Sequence, residues 1–146
     1  MWDLKEQILT AAKSVDIKVN ELSTNDTEII FHNLANKYAN GKKHFPLWEF
    51  VENDFSVQNQ DAWQWIADYI ADSEAILMFN PSDEKSSYKI DGGNNVVKIL
   101  SEMFNVEFYV TNKNNDYLLS FNHHDILSAC GNAKEWLKQY TPQQQD

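Results

Sequence analysis

The spacing of apolar side chains changes near residue 75, and that change restricts the fold more than any other feature of the chain. Before it, apolar residues recur at helical intervals. Leu4, Ile8, Leu9 and Ala12 trace one face of a helix over 3–14, and Asp3 with Glu6 makes a capping-box-like start. Val15 to Val19 alternates and reads as an extended segment. The run Ser23 to Thr27 offers N-caps for a second helix with the face Ile30, Leu34 and Tyr38, and Gly41 ends it. A connection broken by Pro46 leads to a helical turn from Leu47 to Val51. Asp61 then opens a helix in which Trp63, Ile66, Ala67 and Ile70 form one stripe, while Trp65 and Tyr69 lie on its neighbour.

After residue 75 the pattern becomes that of strands. Ala75 to Phe79 is a short apolar run closed by Asn80-Pro81, as a buried strand would be. Ser87 to Ile90 reads as an edge strand. Asp91-Gly92-Gly93-Asn94-Asn95 turns the chain into a helix carrying Val96, Val97, Leu100 and Phe104. Val106 to Thr111 and Asp116 to Phe121 form a hairpin about a turn at 112–115. A last helix is expected from His123 or His124 to Tyr140, with Ile126, Leu127, Ala133 and Leu137 on its face, Gly131 as a weak point and Cys130 near its middle. Residues 142–146 are expected to fray. The order predicts a single α+β domain over 1–146, helical first and strand-rich later, with about three to five mainly antiparallel strands packed by helices.

Composition narrows what such a domain would bind. The formal net charge is −10, and every one of the twelve basic residues is Lys. Arg is the usual reader of phosphate and base edges, so its absence turns the expectation away from nucleic acid. Net charge of this sign suggests solubility, a basic protein partner, or both. The abundance of Asn and Lys without Arg fits an AT-rich bacterial genome. One cysteine, Cys130, allows no internal disulfide and no cysteine-based zinc site. The first residues lack the basic start and apolar run of a signal peptide, and no apolar stretch approaches the ~18–20 residues of a membrane span, so a cytoplasmic address is expected. No cofactor is implied.

Four segments invite chemistry. Asn122-His123-His124-Asp125 sets two imidazoles and a carboxylate after a strand, which suits proton transfer or metal binding, with His44 as a further candidate; the alternative is a helix N-terminus capped by Asn122. Cys130 is flanked by apolar residues and reads as core filling rather than a nucleophile. Asp91 to Asn95 resembles an anion-binding loop but lacks the glycine spacing and lysine of a nucleotide site, so a turn is expected. Residues 61–95 hold seven carboxylates against two lysines. With Trp63, Trp65 and Tyr69 beside them, Asp68, Asp72, Asp83 and Glu84 form a candidate partner-binding face, the alternative being a solvated acidic surface.

Phe45-Pro46-Leu47-Trp48-Glu49, the tryptophan helix and the hairpin ending Asn122-His123-His124-Asp125-Ile126-Leu127 resemble a family of short, acidic, uncharacterised bacterial proteins. In size, charge and class the chain also looks like the immunity proteins of bacterial contact-dependent and polymorphic toxin systems. That resemblance implies a non-enzymatic module that occludes a basic toxin such as a nuclease. Two other readings stay open: a small hydrolase or metal-dependent enzyme built on His123, His124 and Asp125, and an oligomeric regulatory or scaffold protein.

Overall fold

A computed structural model describes residues 3–103 and 105–140; the expectations for Phe104 and for the 142–146 tail lie outside the described residues. In chain order the elements are α1 (Leu4–Ser14), β1 (Asn20–Leu22), α2 (Thr24–Tyr38), a 3₁₀ turn (Leu47–Glu49), β2 (Phe55–Gln58), α3 (Ala62–Ile70), β3 (Glu74–Met78), β4 (Ser87–Asp91), α4 (Gly93–Ser101), β5 (Phe108–Thr111), β6 (Tyr117–Phe121), β7 (Ile126–Gly131) and α5 (Ala133–Lys138). The fold is α+β, and all strands join one antiparallel sheet in the order β1-β4-β3-β5-β6-β7-β2.

That sheet has seven strands rather than three to five, and the two additions share one cause. The expected last helix is instead β7 followed by the short α5. Ile126, Leu127, Ala133 and Leu137 happen to fall at helical spacing. In the fold, however, Leu127 and Ala129 face one side of the sheet and Cys130 the other, the period of two that a strand imposes. Gly131, at φ +67°, ends the strand, and Asn132 N–H donates to Asp116 O at 2.9 Å. A side chain there is excluded, because a Cβ would sit 2.5 Å from Asp116 O. With β7 in place, Phe55–Gln58 gains a partner and becomes an edge strand, with Val57 opposite Leu127 and the Ser56 and Ser128 hydroxyls 2.6 Å apart. At the other edge, the segment expected to be extended over 15–19 forms no strand, and the short β1 begins directly after it. Ile17 N–H still bonds back to Ala12 O, so pairing begins at Asn20, opposite Lys89.

The sheet is covered on both faces. On one side α1, α3, α4 and α5 bury Ile8, Ile66, Ile99 and Leu137 against Leu77, Phe108, Val110 and Leu119. On the other, α2 and the 3₁₀ turn bury Phe31, Leu34 and Leu47 against Met78, Tyr109, Leu118 and Cys130. β3, β5 and β6 are therefore buried on both faces; Ala75–Phe79 was legible as a buried run, whereas the other two were legible as the strands of a hairpin. Helices α1 and α2 start at side-chain caps. Asp3 Oδ1 accepts from Glu6 N–H at 2.8 Å, and Ser23 Oγ accepts from Asp26 N–H at 3.0 Å.

The two-sided core carries a buried polar relay at Tyr109. Tyr109 Oη donates to Asn80 Oδ1 at 2.6 Å and accepts from Leu47 N–H at 2.7 Å, fastening the Phe45–Phe50 connection to the sheet. Trp48 lies over the Tyr109 ring at 5.2 Å and Phe31 meets its edge at 5.5 Å. No helix among the described residues is long and apolar enough to cross a membrane.

Candidate partner-binding face

Helical spacing puts Trp65, Asp68 and Tyr69 on one side of α3, and the short α5 lies alongside it. The Trp65 ring stacks on Tyr140, with centroids 4.4 Å apart and planes 9° from parallel. Tyr69 packs against Trp136 at 5.4 Å, Trp136 meets Tyr140 at 5.1 Å, and Tyr69 sets its edge on Tyr117 of the core at 4.9 Å. Such aromatic pairs add ~0.5–1.5 kcal/mol each beyond area burial. Trp65, Tyr69, Trp136 and Tyr140 are all half-buried, so the strip is seated on the core and still presents ring surface outward.

Charge is arranged around this strip. Exposed Asp68 accepts from Tyr140 Oη at 2.6 Å, which holds the Tyr140 ring flat over Trp65. Burial first, and the Asp68 carboxylate second, push the Tyr140 hydroxyl up to about 12. Burial and Asp116 likewise raise that of Tyr69. Asp72 is exposed just beyond α3. Among the described residues no lysine forms an ion pair with Asp68 or Asp72; on α5, Lys138 is matched to Glu135 at 2.7 Å.

The other residues of the expected face lie elsewhere. Trp63 points toward α4 and helps line a cleft of about 230 Å³ with Leu100, Met103 and Phe121. Asp83 and Glu84 occupy the β3–β4 connection, separated from Asp72 by the length of β3, roughly 17 Å for five residues. Glu84 Oε2 accepts from Ser86 N–H at 2.9 Å, and Asp83 lines a separate concavity of about 570 Å³ with Glu107 and His123. Burial first and Glu107 second raise the Asp83 carboxyl above its usual range. The helix thus brings together Trp65, Asp68, Tyr69 and Asp72, while the sheet parts them from Asp83 and Glu84. Trp136 and Tyr140 were missed, although their i,i+4 spacing repeats that of Trp65 and Tyr69.

The histidine segment is not a helix start. It is the hairpin loop between β6 and β7: Asp125 N–H donates to Asn122 O at 3.0 Å, and Asp125 adopts φ +60°, a tight turn closed by a left-handed residue. Asn122 therefore caps no helix; its Oδ1 accepts from His124 N–H at 2.9 Å within the turn. His123 pairs through Nδ1 with Glu107 Oε2, which also accepts from His123 N–H at 2.9 Å. The His124 ring lies beside it, with centroids 4.0 Å apart and planes tilted by 44°. His44 stands against Phe50 in the connection packed over the opposite sheet face. Among the described residues no three His, Cys, Asp or Glu side chains gather as a metal site would need.

Two smaller expectations resolve in packing terms. The Asp91–Asn95 turn spends its amides inside the fold, with Gly92 N–H on Ser73 O at 2.9 Å and Gly93 N–H on Ala71 O at 2.8 Å, leaving neither for an anion. Cys130 is 2% exposed in the core beneath α2, and burial pushes its thiol up to about 12. The thiol is thus protonated through neutral and mildly alkaline pH. We expect Ellman's reagent at pH 8 to modify native Cys130 at least ~100-fold more slowly than the urea-unfolded chain. Similar rates in both states would remove Cys130 from the core.

No family model, curated protein or solved structure matches the chain.

Proposed function

We propose that the chain is a non-enzymatic binding module for a basic protein, acting as immunity-type inhibitors act on a toxin such as a nuclease. The observation that carries this reading is the aromatic strip of Trp65, Tyr69, Trp136 and Tyr140 edged by the exposed carboxylates of Asp68 and Asp72. Seated aromatic rings supply contact area at little entropic cost, as interface anchors do. A stacked Trp–Tyr pair with a carboxylate at its rim suits a Lys or Arg side chain, through cation–π attraction and a charge-assisted hydrogen bond. The net charge of −10 would speed encounter with a cationic partner, and phosphate-binding ground on a nuclease is cationic.

The test uses the intact protein as bait in host lysate at about 50 and 500 mM salt, where the Debye length shrinks from roughly 14 to 4 Å. A basic protein is expected to be retained at low salt and weakened at high salt. Asp68→Lys with Asp72→Lys is expected to weaken retention at least ~30-fold, about 2 kcal/mol, without altering the circular dichroism spectrum. Unchanged retention by that variant would remove this face from the interaction.

A second reading has one observation in its favour. Glu107 orients His123 through Nδ1 beside the concavity that Ser82 and Asp83 also line, which leaves Nε2 for proton transfer. Ester or phosphoester turnover that His123→Ala abolishes would move the function to that hairpin.

A further inference from the structure

Helix α2 leaves a corner of the sheet uncovered. Beside it runs an open groove of about 320 Å³ whose apolar wall is Leu22, Ile29, Ile30 and Ile76. Ile29 is 52% exposed, the more exposed of two large aliphatic side chains, with Leu9, that stand out among the described residues. The stripe Asp26, Ile29, Ile30 and Asn33 follows the i, i+3, i+4, i+7 spacing of a single helix face, in which Ile30 packs on the core and Ile29 stands open beside it.

Charge along this groove is asymmetric. At the N-terminal end of α2 stands Asp26, in the first turn; at the C-terminal end stand Lys37 and the β5–β6 turn with Lys113. Lys37 Nζ and Tyr38 Oη both bond to Asn115 O, at 2.9 and 2.7 Å, which fixes that turn against the end of the helix. Lys89 sits on the sheet floor between Asn20 and Ile76. Neither Lys89 nor Lys113 forms an ion pair among the described residues. In a chain carrying −10, two lysines over apolar ground call for carboxylates from outside.

We propose that this groove is the isologous interface of a homodimer, with α2 of one copy antiparallel to α2 of the other. An occupant must offer an apolar centre, a carboxylate at the lysine end and a cation at the Asp26 end. A second copy turned through a two-fold axis has that pattern: its Asp26 meets Lys113, its Lys113 meets Asp26, and the two Ile29 side chains fill the middle. The apolar contact supplies affinity, and the paired rim charges set orientation and register. The α3–α5 strip is not involved, so dimerisation and capture of a basic protein are separable by mutation.

Sedimentation velocity of the full chain in about 150 mM salt, where net repulsion is screened beyond roughly 8 Å, reads the proposal directly. The wild type is expected to pass from monomer near ~5 µM to dimer near ~500 µM. Ile29→Lys, at an exposed site that folding does not need, is expected to stay monomeric throughout. Asp26→Lys and Lys113→Glu should each weaken the dimer at least ~10-fold, and the Asp26→Lys, Lys113→Glu double variant should recover it, because the swap restores both symmetric pairs. A wild type monomeric at ~500 µM overturns the proposal, as does a dimer that Ile29→Lys leaves intact. A double variant no better than the worse single one overturns the antiparallel register.

Discussion

Gly93→Ala is expected to lower the unfolding free energy by about 3 kcal/mol, seen as a fall of about 1.5 M in the urea midpoint. By propensity alone the change should help, since alanine gains ~0.5–1 kcal/mol over glycine inside a helix. Geometry reverses the sign. A Cβ on Gly93 would lie 2.6 Å from Ala67 O and 2.7 Å from Ala67 Cα. Both atoms belong to the backbone of α3, so no side-chain rotation can relieve the clash. The helices must separate, loosening Ile66 and Ile70 from Val96 and Leu100 in one shared core. A midpoint that stays level or rises would show that α3 and α4 do not approach this closely.

Tyr109→Phe should cost a similar amount by another route. The ring remains, so the packing of Trp48 and Phe31 around it is kept and no cavity opens. The hydroxyl that serves two buried partners is lost, leaving Asn80 Oδ1 without its donor and Leu47 N–H without its acceptor. An orphaned buried polar group costs ~1–3 kcal/mol, so a loss of about 3 kcal/mol is expected for the pair. Because Leu47 begins the 3₁₀ turn, the Phe45–Phe50 connection should also become cleavable by chymotrypsin before the domain as a whole unfolds. Tyr38→Phe is the control: half-buried and donating only to Asn115 O, it should cost under about 1 kcal/mol. Equal losses in the two variants would mean that the buried relay contributes nothing particular.

The candidate face shows how far one-dimensional spacing reaches. Trp65, Asp68, Tyr69 and Asp72 share a helix and its exit, so their neighbourhood follows from 3.6 residues per turn. Asp83 and Glu84 are nearer in sequence to Asp72 than Trp136 is to Tyr69, yet a strand carries them away and the return of α5 brings Trp136 onto Tyr69. The Glu107–His123 pair was illegible for the same reason, since it forms across a hairpin whose register only pairing sets.

By itself the sequence determined what local physics controls. The α+β class, the cap at Asp3, a cap within Ser23–Thr27, the apolar run at Ala75–Phe79 and the β5–β6 hairpin were all legible in patterns a few residues long. The tertiary structure alone decided the ends of the sheet. Ile126 to Leu137 satisfies a helical period and a strand followed by a short helix almost equally well. What separates them is the partner each would have: β6 on one side, Phe55–Gln58 on the other, and the close approach of Asp116 that only a glycine at 131 permits. Strand pairing is a bond between distant segments, so its free energy appears only once the chain has folded back on itself.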